Sequence, residues 1–290
     1  MSERVVDVEE TASIGSARSD RSGLRHLITL YFRLVGARSR SQMQYKFSFG
    51  LLVANGILAT VVDFVEVLVI FGRIPTLAGW SLGEVAMLYG TAAMSFALAE
   101  MFARGFELLS QQVVQGQFDR VLTRPLGAFF QVFATELALW KVGRLGQGLI
   151  ILLIAVRLLA IQLTATKVLV LLLAIASGAV IFYAIFVIGA ATCFWTVESN
   201  EIVNVFTNGG VLLTSYPLEI YQDWLRRLVT FVLPLGFINY YPVLFVLGRP
   251  DPFELPWWMR LLSPLVALVV GLVAWALWST GVRHYQSTGT

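Results

Sequence analysis

Long apolar runs separated by short charged stretches organise this chain. Residues 47–72 (FSFGLLVANGILATVVDFVEVLVIFG) are predominantly apolar and carry only Asp63 and Glu66 as charged residues. A helix needs roughly 20 such residues to cross the hydrocarbon layer, so this run predicts a first membrane span. Further spans are predicted at 84–103, 141–161, 166–195 and 258–282. The stretch 201–248 reads differently. Its two apolar runs, EIVNVFTNGGVLLTSYP and LVTFVLPLGFINYYPVLFVLG, flank the polar knot QDWLRR and are interrupted by Pro217, Pro234 and Pro242. Proline removes a backbone donor and breaks helix interiors. Irregular backbone at membrane depth is tolerated only where protein or water covers it. Two crossings would leave the C-terminus outside; one crossing followed by a broken re-entrant segment would leave it in the cytosol, and the prolines favour the second. The expected fold is therefore an all-α polytopic membrane protein of about six transmembrane helices, with the re-entrant segment before the last one.

The N-terminal region has another texture. Residues 1–22 mix charges with Ser, Thr and Gly and hold no apolar core, so they are expected to be a disordered cytosolic tail rather than a signal peptide. In 23–45, Leu24, Leu27, Ile28, Tyr31, Phe32 and Leu34 recur at spacings near three and four, among Arg25, Arg33, Arg38 and Arg40. That pattern predicts an amphipathic helix lying on the membrane surface. Residues 23–285 are expected to form a single transmembrane domain, without internal repeats.

Composition agrees with a lipid-embedded chain: 57% of residues are hydrophobic and 13% charged. Soluble domains carry about 25% charged residues, so this much apolar surface cannot be covered in water. The net charge of +3 does not form a nucleic-acid patch, because the basic residues sit beside the apolar runs. Arg4 to Lys46 supply eight positive charges before the first span, whereas the loop 73–83 holds only Arg73. Arg104, Arg120 and Arg124 follow the second span. Cytosolic loops carry the excess of Lys and Arg, so the N-terminus and the loop after span two are expected in the cytosol, and six spans would place the C-terminus there too. Cys193 is the single cysteine and only His26 and His284 are present, which leaves no basis for a disulfide framework or a Cys/His metal site. No Gly-Lys dipeptide, H-E-x-x-H or G-x-S-x-G occurs. The chain is thus not expected to be an enzyme, and any ATP must be bound by another protein.

Two places carry candidate chemistry. In the loop 104–127, Leu108, Leu109, Val113, Phe118, Val121 and Leu122 could form the apolar face of short surface helices. Gly116 permits a sharp turn, and Pro125 forces Arg124 out of helical geometry. Such a knuckle offers a docking partner a grip, although a plain interfacial loop has the same pattern. Asp63 and Glu66 share one face of span one and would contact substrate or a cation, or else pair near the outer interface with a base such as Arg226. Glu100 with Arg104, and Glu136 with Lys141 and Arg144, are expected structural ion pairs. Trp80, Trp140, Trp257, Trp258 and Trp278 fall near span boundaries, as depth anchors do. The small residues Ala174, Ala176, Ser177, Gly178 and Ala179 suit close helix packing, with Cys193 as an apolar filler.

The stretch GQFDRVLTRPLGAFFQ at 116–131 resembles the permease subunits of bacterial ATP-binding-cassette type-2 exporters, in the small six-span branch that lacks a fused ATPase. That branch carries Gly-x-x-Asp-x-x-Leu-x-Arg-Pro-Leu after its second span, matched here by Gly116, Asp119, Leu122, Arg124, Pro125 and Leu126. TSYPLEIY at 214–221 and VLPLGFINYYPVLFVLG at 232–248 also resemble it. The likeness implies a permease that pairs with a second, identical or related permease in the bacterial inner membrane. Separate ATPase subunits, holding ATP and Mg, would dock on 105–127, where Arg120 joins the signature residues. Tyr216 and Pro217 would join Asp63 and Glu66 along the substrate path. An ion-coupled carrier or channel acting without an ATPase is the competing expectation.

Overall fold

The computed structural model describes residues 46–196 and 199–285; the tail 1–22 and the surface helix expected at 23–45 lie outside them. Among the described residues there are helices and turns but no β-strand. The long helices are α1 (Lys46–Phe71), α2 (Leu82–Glu107), α6 (Val142–Leu158), α7 (Ala165–Thr192), α8 (Ser199–Ser215) and α11 (Ser263–His284). Short ones lie between them: α3 (Leu109–Val114), α4 (Asp119–Leu122), α5 (Ala128–Phe133), α9 (Asp223–Arg227) and α10 (Tyr240–Leu247). Five segments are long and apolar enough to cross a membrane: Lys46–Phe71, Leu82–Val114, Leu139–Leu158, Ala165–Thr192 and Ser263–His284. The helix α8 packs against α2 and α7. At 17 residues it is about 25 Å long, slightly less than the hydrocarbon thickness.

The central helix α2 packs against α6, α7 and α8, and α11 lies along α7. Small residues permit the α2–α6 approach: a Cβ on Gly90 would stand 2.9 Å from the Leu152 amide nitrogen, and one on Gly148 2.9 Å from Met94 Cγ. On α7, a Cβ at Gly178 would meet Ser95 Oγ at 2.6 Å, so the expected small-residue face is a contact face. In contrast, α1 rests mainly on α6 and, among its described residues, buries only Val67.

Last comes the segment between α8 and α11, which begins and ends at the same face of the bundle. It leaves α8 at Ser215, passes through α9 and a π-helical turn at Leu228–Val232, bottoms near Ile238 and climbs back along α10. A Cβ at Gly178, halfway along α7, would lie 2.8 Å from Ile238 Cγ2, so the segment dips to mid-bundle. Residues 235–244 are all buried, which is the condition for irregular backbone at depth. Three hydrogen bonds tie its deepest part to the surrounding helices. Asn239 Nδ2 donates to the Leu88 and Thr214 carbonyls at 2.8 and 2.7 Å, and Ser263 Oγ to Phe237 O at 2.6 Å. Pro217 and Pro234 do end helical runs, but Pro242 does not break one. It sits in the first turn of α10, where its missing N–H had no helical acceptor to lose. The last span starts at Ser263 rather than 258, with Pro264 in its first turn and a 3-10 turn, Trp257–Leu261, ahead of it.

At this face Arg249 pairs with Glu84 at 2.8 Å, lies 4.6 Å over the Trp80 ring and donates to Gly79 O. Trp80 is accordingly fully buried, as is Trp278 nearly so at the opposite face, and neither is the surface anchor its position suggested. One further expectation is corrected. Glu100 does not pair with Arg104; it accepts Lys141 at 2.6 Å and Arg144 at 3.2 Å from the start of the third span. Arg104 instead reaches Glu107 at 2.9 Å, three residues along its own helix.

Candidate functional site: a packed knuckle and a charged cavity

At the bundle face opposite the re-entrant segment, α2 continues through Leu108 into α3 and then reverses. The reversal needs Gly116, whose φ of +65° lies in the left-handed region. Behind it the Gln117 amide donates back to Gln112 O at 2.8 Å. Phe118 then turns inward and is fully buried, its ring centroid 5.3 Å from Phe194 and 5.1 Å from Tyr285. The four-residue α4 follows, too short to be stable alone. Three contacts hold it. Tyr285 donates its hydroxyl to Asp119 Oδ1 at 2.9 Å, and Gln131 Nε2 donates to the Val121 and Leu126 carbonyls at 2.8 and 2.7 Å. Burial, with the hydrogen bond to Asp119 and its charge, pushes the Tyr285 phenol up to about 12, so the latch is protonated at neutral pH.

The signature residues therefore divide into two roles. Gly116 shapes the turn and Asp119 binds Tyr285, while Leu126 offers its carbonyl to Gln131. Arg120, Leu122, Arg124 and Pro125 face outward, exposed, on the knuckle's outer side. Leu109 and Val113, expected on a surface face, are buried with Phe118 against α5, α7 and α11. The residues that sequence reasoning missed are Phe194 and Tyr285, which close an aromatic chain through Trp278 (5.5 Å from Phe194) to Phe106 (5.2 Å from Trp278).

The second place is a cavity of about 280 Å³ between α1, α2, α6 and α8, lined by Glu66, Tyr89, Arg144, Asn208, Ser215 and Tyr216 with three apolar neighbours. It brings together Glu66 and Tyr216 of the expected path. Pro217 is buried at the turn that follows α8 and is not part of the wall. Asp63 lies one turn before Glu66 on α1, and its side chain is outside the described residues. Arg226 is engaged elsewhere, with Asp223 at 3.5 Å and the Leu218, Glu219 and Tyr221 carbonyls, so it is not the partner of Glu66. Arg144 was expected only in a structural ion pair; the structure sets it in the cavity wall. Among the described residues no group of His, Cys, Asp and Glu side chains is arranged to hold a metal ion.

A polytopic helical bundle with a packed knuckle at one face and a polar cavity between α1, α2, α6 and α8 is an architecture that suits the membrane part of a transporter, a permease. The chain belongs to the ABC-2 family transporter proteins, whose family model matches residues 57–289. No curated protein and no solved structure matches it.

Proposed function

We propose that this chain is the permease subunit of an ABC exporter in the bacterial inner membrane, working with a second permease and with separate ATPase subunits that dock on 105–127. The observation that carries the reading is the build of the knuckle. Its inner side is packed as tightly as a protein core, while Arg120, Leu122, Arg124 and Pro125 are left exposed at its tip. A loop without a partner has no need of a rigid mount; a surface that receives force does. The tip is also basic, suited to an acidic, partly apolar groove. Tyr285 and the start of α1 lie at the same face, which supports both termini being cytosolic together with the knuckle. ATP and Mg would be held by the partner, whose binding energy must differ between the two orientations of the path to drive any switch.

Affinity purification of the chain from its native membrane tests this. A stoichiometric ATPase should come with it, and Arg124→Glu, which reverses charge on the exposed tip, should abolish that recovery while leaving the fold intact. An ATPase recovered equally well with the variant would remove the knuckle from the docking surface. A chain that purifies alone from mild detergent, yet transports in proteoliposomes without ATP, would replace the reading with an ion-coupled carrier.

A further inference from the structure

We propose that the cavity between α1, α2, α6 and α8 binds a zwitterionic headgroup, with its anionic part at Arg144 and its cationic part at Glu66. The proposal rests on the permease reading only for what happens after binding. Its ground is charge placed at depth. In α2, Tyr89 and Ala93 line the cavity, and this part of α2 is the middle of the segment Leu82–Glu107. Ionised side chains at such depth are costly and persist where they pair or meet a substrate.

Arg144 is only partly neutralised. It shares Glu100 with Lys141, which leaves this trio with one positive charge in excess. Its guanidinium lies 4.8 Å over the Phe96 ring and its side chain is 19% exposed, so it is held rather than free to swing. Its Nε is buried without an acceptor. An anion in the cavity would balance the excess charge, as phosphate or carboxylate does beside guanidinium groups.

Glu66 supplies the opposite sign at the other end. The ring of Phe64, two residues before it, lies 5.4 Å from that of Tyr89, whereas Arg144 packs at Phe96. Seven residues of α2 separate those two levels, about 10 Å along the axis. A purely anionic head would be repelled by Glu66, a purely cationic one by the Arg144 group, and a neutral one would leave both unmatched. Only a head that carries both charges satisfies the two ends. The cavity has room for about nine water molecules, enough for a phosphoethanolamine but not for acyl chains. Chains would stay in the bilayer beside the sparsely packed α1.

The shared chemistry is a phosphate beside an ammonium, whether from a phospholipid or from a soluble phosphoamine. The test counts bound molecules by native mass spectrometry on the full chain in mild detergent. The probes are phosphatidylethanolamine, phosphatidylglycerol, and glycerophosphoethanolamine as the chain-free competitor. Phosphatidylethanolamine should be retained about tenfold over phosphatidylglycerol. Glu66→Gln should erase that preference by strengthening phosphatidylglycerol, and Arg144→Gln should weaken both lipids by at least about tenfold. Glu66 is exposed on α1, so its variant tests the idea even if Arg144→Gln fails to fold. Competition by glycerophosphoethanolamine supports a soluble occupant; retained phosphatidylethanolamine without competition supports the lipid. Equal retention of the two lipids by the wild type, or a ratio unchanged in Glu66→Gln, overturns the proposal. Loss of the copurifying ATPase would instead sink the permease reading and leave these ratios untouched.

Discussion

Replacing Phe118 with Ala should detach the knuckle without unfolding the bundle. The ring is fully buried between Phe194 and Tyr285, and truncating a buried Phe costs about 3–5 kcal/mol when the site cannot collapse. That loss falls on a small unit. The cluster holding Phe118 joins the end of α2, α3, α5, the second half of α7 and α11; the larger cluster is formed by α2, α6, α7, α10 and the re-entrant segment, and Tyr183 packs against both. Without the ring, α4 is held by the Tyr285–Asp119 bond and the Gln131 donation to Val121, with the second donation to Leu126 just beyond it. A local penalty near 3 kcal/mol raises the open population about a hundredfold. Hydrogen exchange followed by mass spectrometry reads this directly. Peptides covering 116–126 should exchange about a hundredfold faster in Phe118→Ala, while peptides from 85–99 keep wild-type protection. If protection at 116–126 is unchanged, the ring is not the mount; if 85–99 loosens equally, the two clusters are one cooperative unit and the argument fails.

Three milder perturbations complete the set. Tyr285→Phe removes only the hydroxyl bond to Asp119, worth about 1 kcal/mol, and should raise exchange at 116–126 by less than about tenfold. In the wild type the same bond is intact below pH 10, the ordinary phenol value, and is lost as pH rises through about 12, because the folded pKa is the raised one; exchange corrected for its intrinsic pH dependence should show the loosening only there. Asn239→Leu deletes the ties to Leu88 and Thr214 and should lower thermal stability by about 1–3 kcal/mol, seen as a lower Tm in detergent; an unchanged Tm would mean those carbonyls find other donors. Gly105→Ala drives a Cβ into the Val132 carbonyl oxygen, so α2 and α5 must separate at a cost of about 1–3 kcal/mol, read as reduced yield of folded protein.

The spans were legible because each is a contiguous run whose length meets the membrane's thickness, a property that needs no partner. The re-entrant segment was legible from its prolines, except Pro242, whose role depended on where α10 begins. Partnerships across the chain were not legible. Glu100 seemed matched to Arg104 by helical spacing, yet its cations arrive 41 and 44 residues away, brought by the α2–α6 glycine contact. Phe118 read as one apolar position among several because its burial is made by Phe194 and Tyr285, from the far ends of α7 and α11. Trp80 and Trp278 looked like interfacial anchors for the same reason: boundary position is local, burial is not. In the cavity, Glu66 and Tyr216 could be guessed singly, whereas Arg144 needed the fold to turn it toward them.

The dip of residues 228–247 has a consequence for how the protein is made. Its buried, partly non-helical backbone is stable only inside walls built by α2, α7 and α8, and Phe237 O is met by Ser263 at the start of α11. Those donors are not all in place until the last helix has been synthesised. The flanking helices can enter the bilayer one by one as independent hydrophobic rods, but this stretch has no lipid-stable state of its own. Its assembly is therefore a late step of biogenesis, and until α11 arrives the nascent chain holds an unfinished plug at one end of an otherwise inserted bundle.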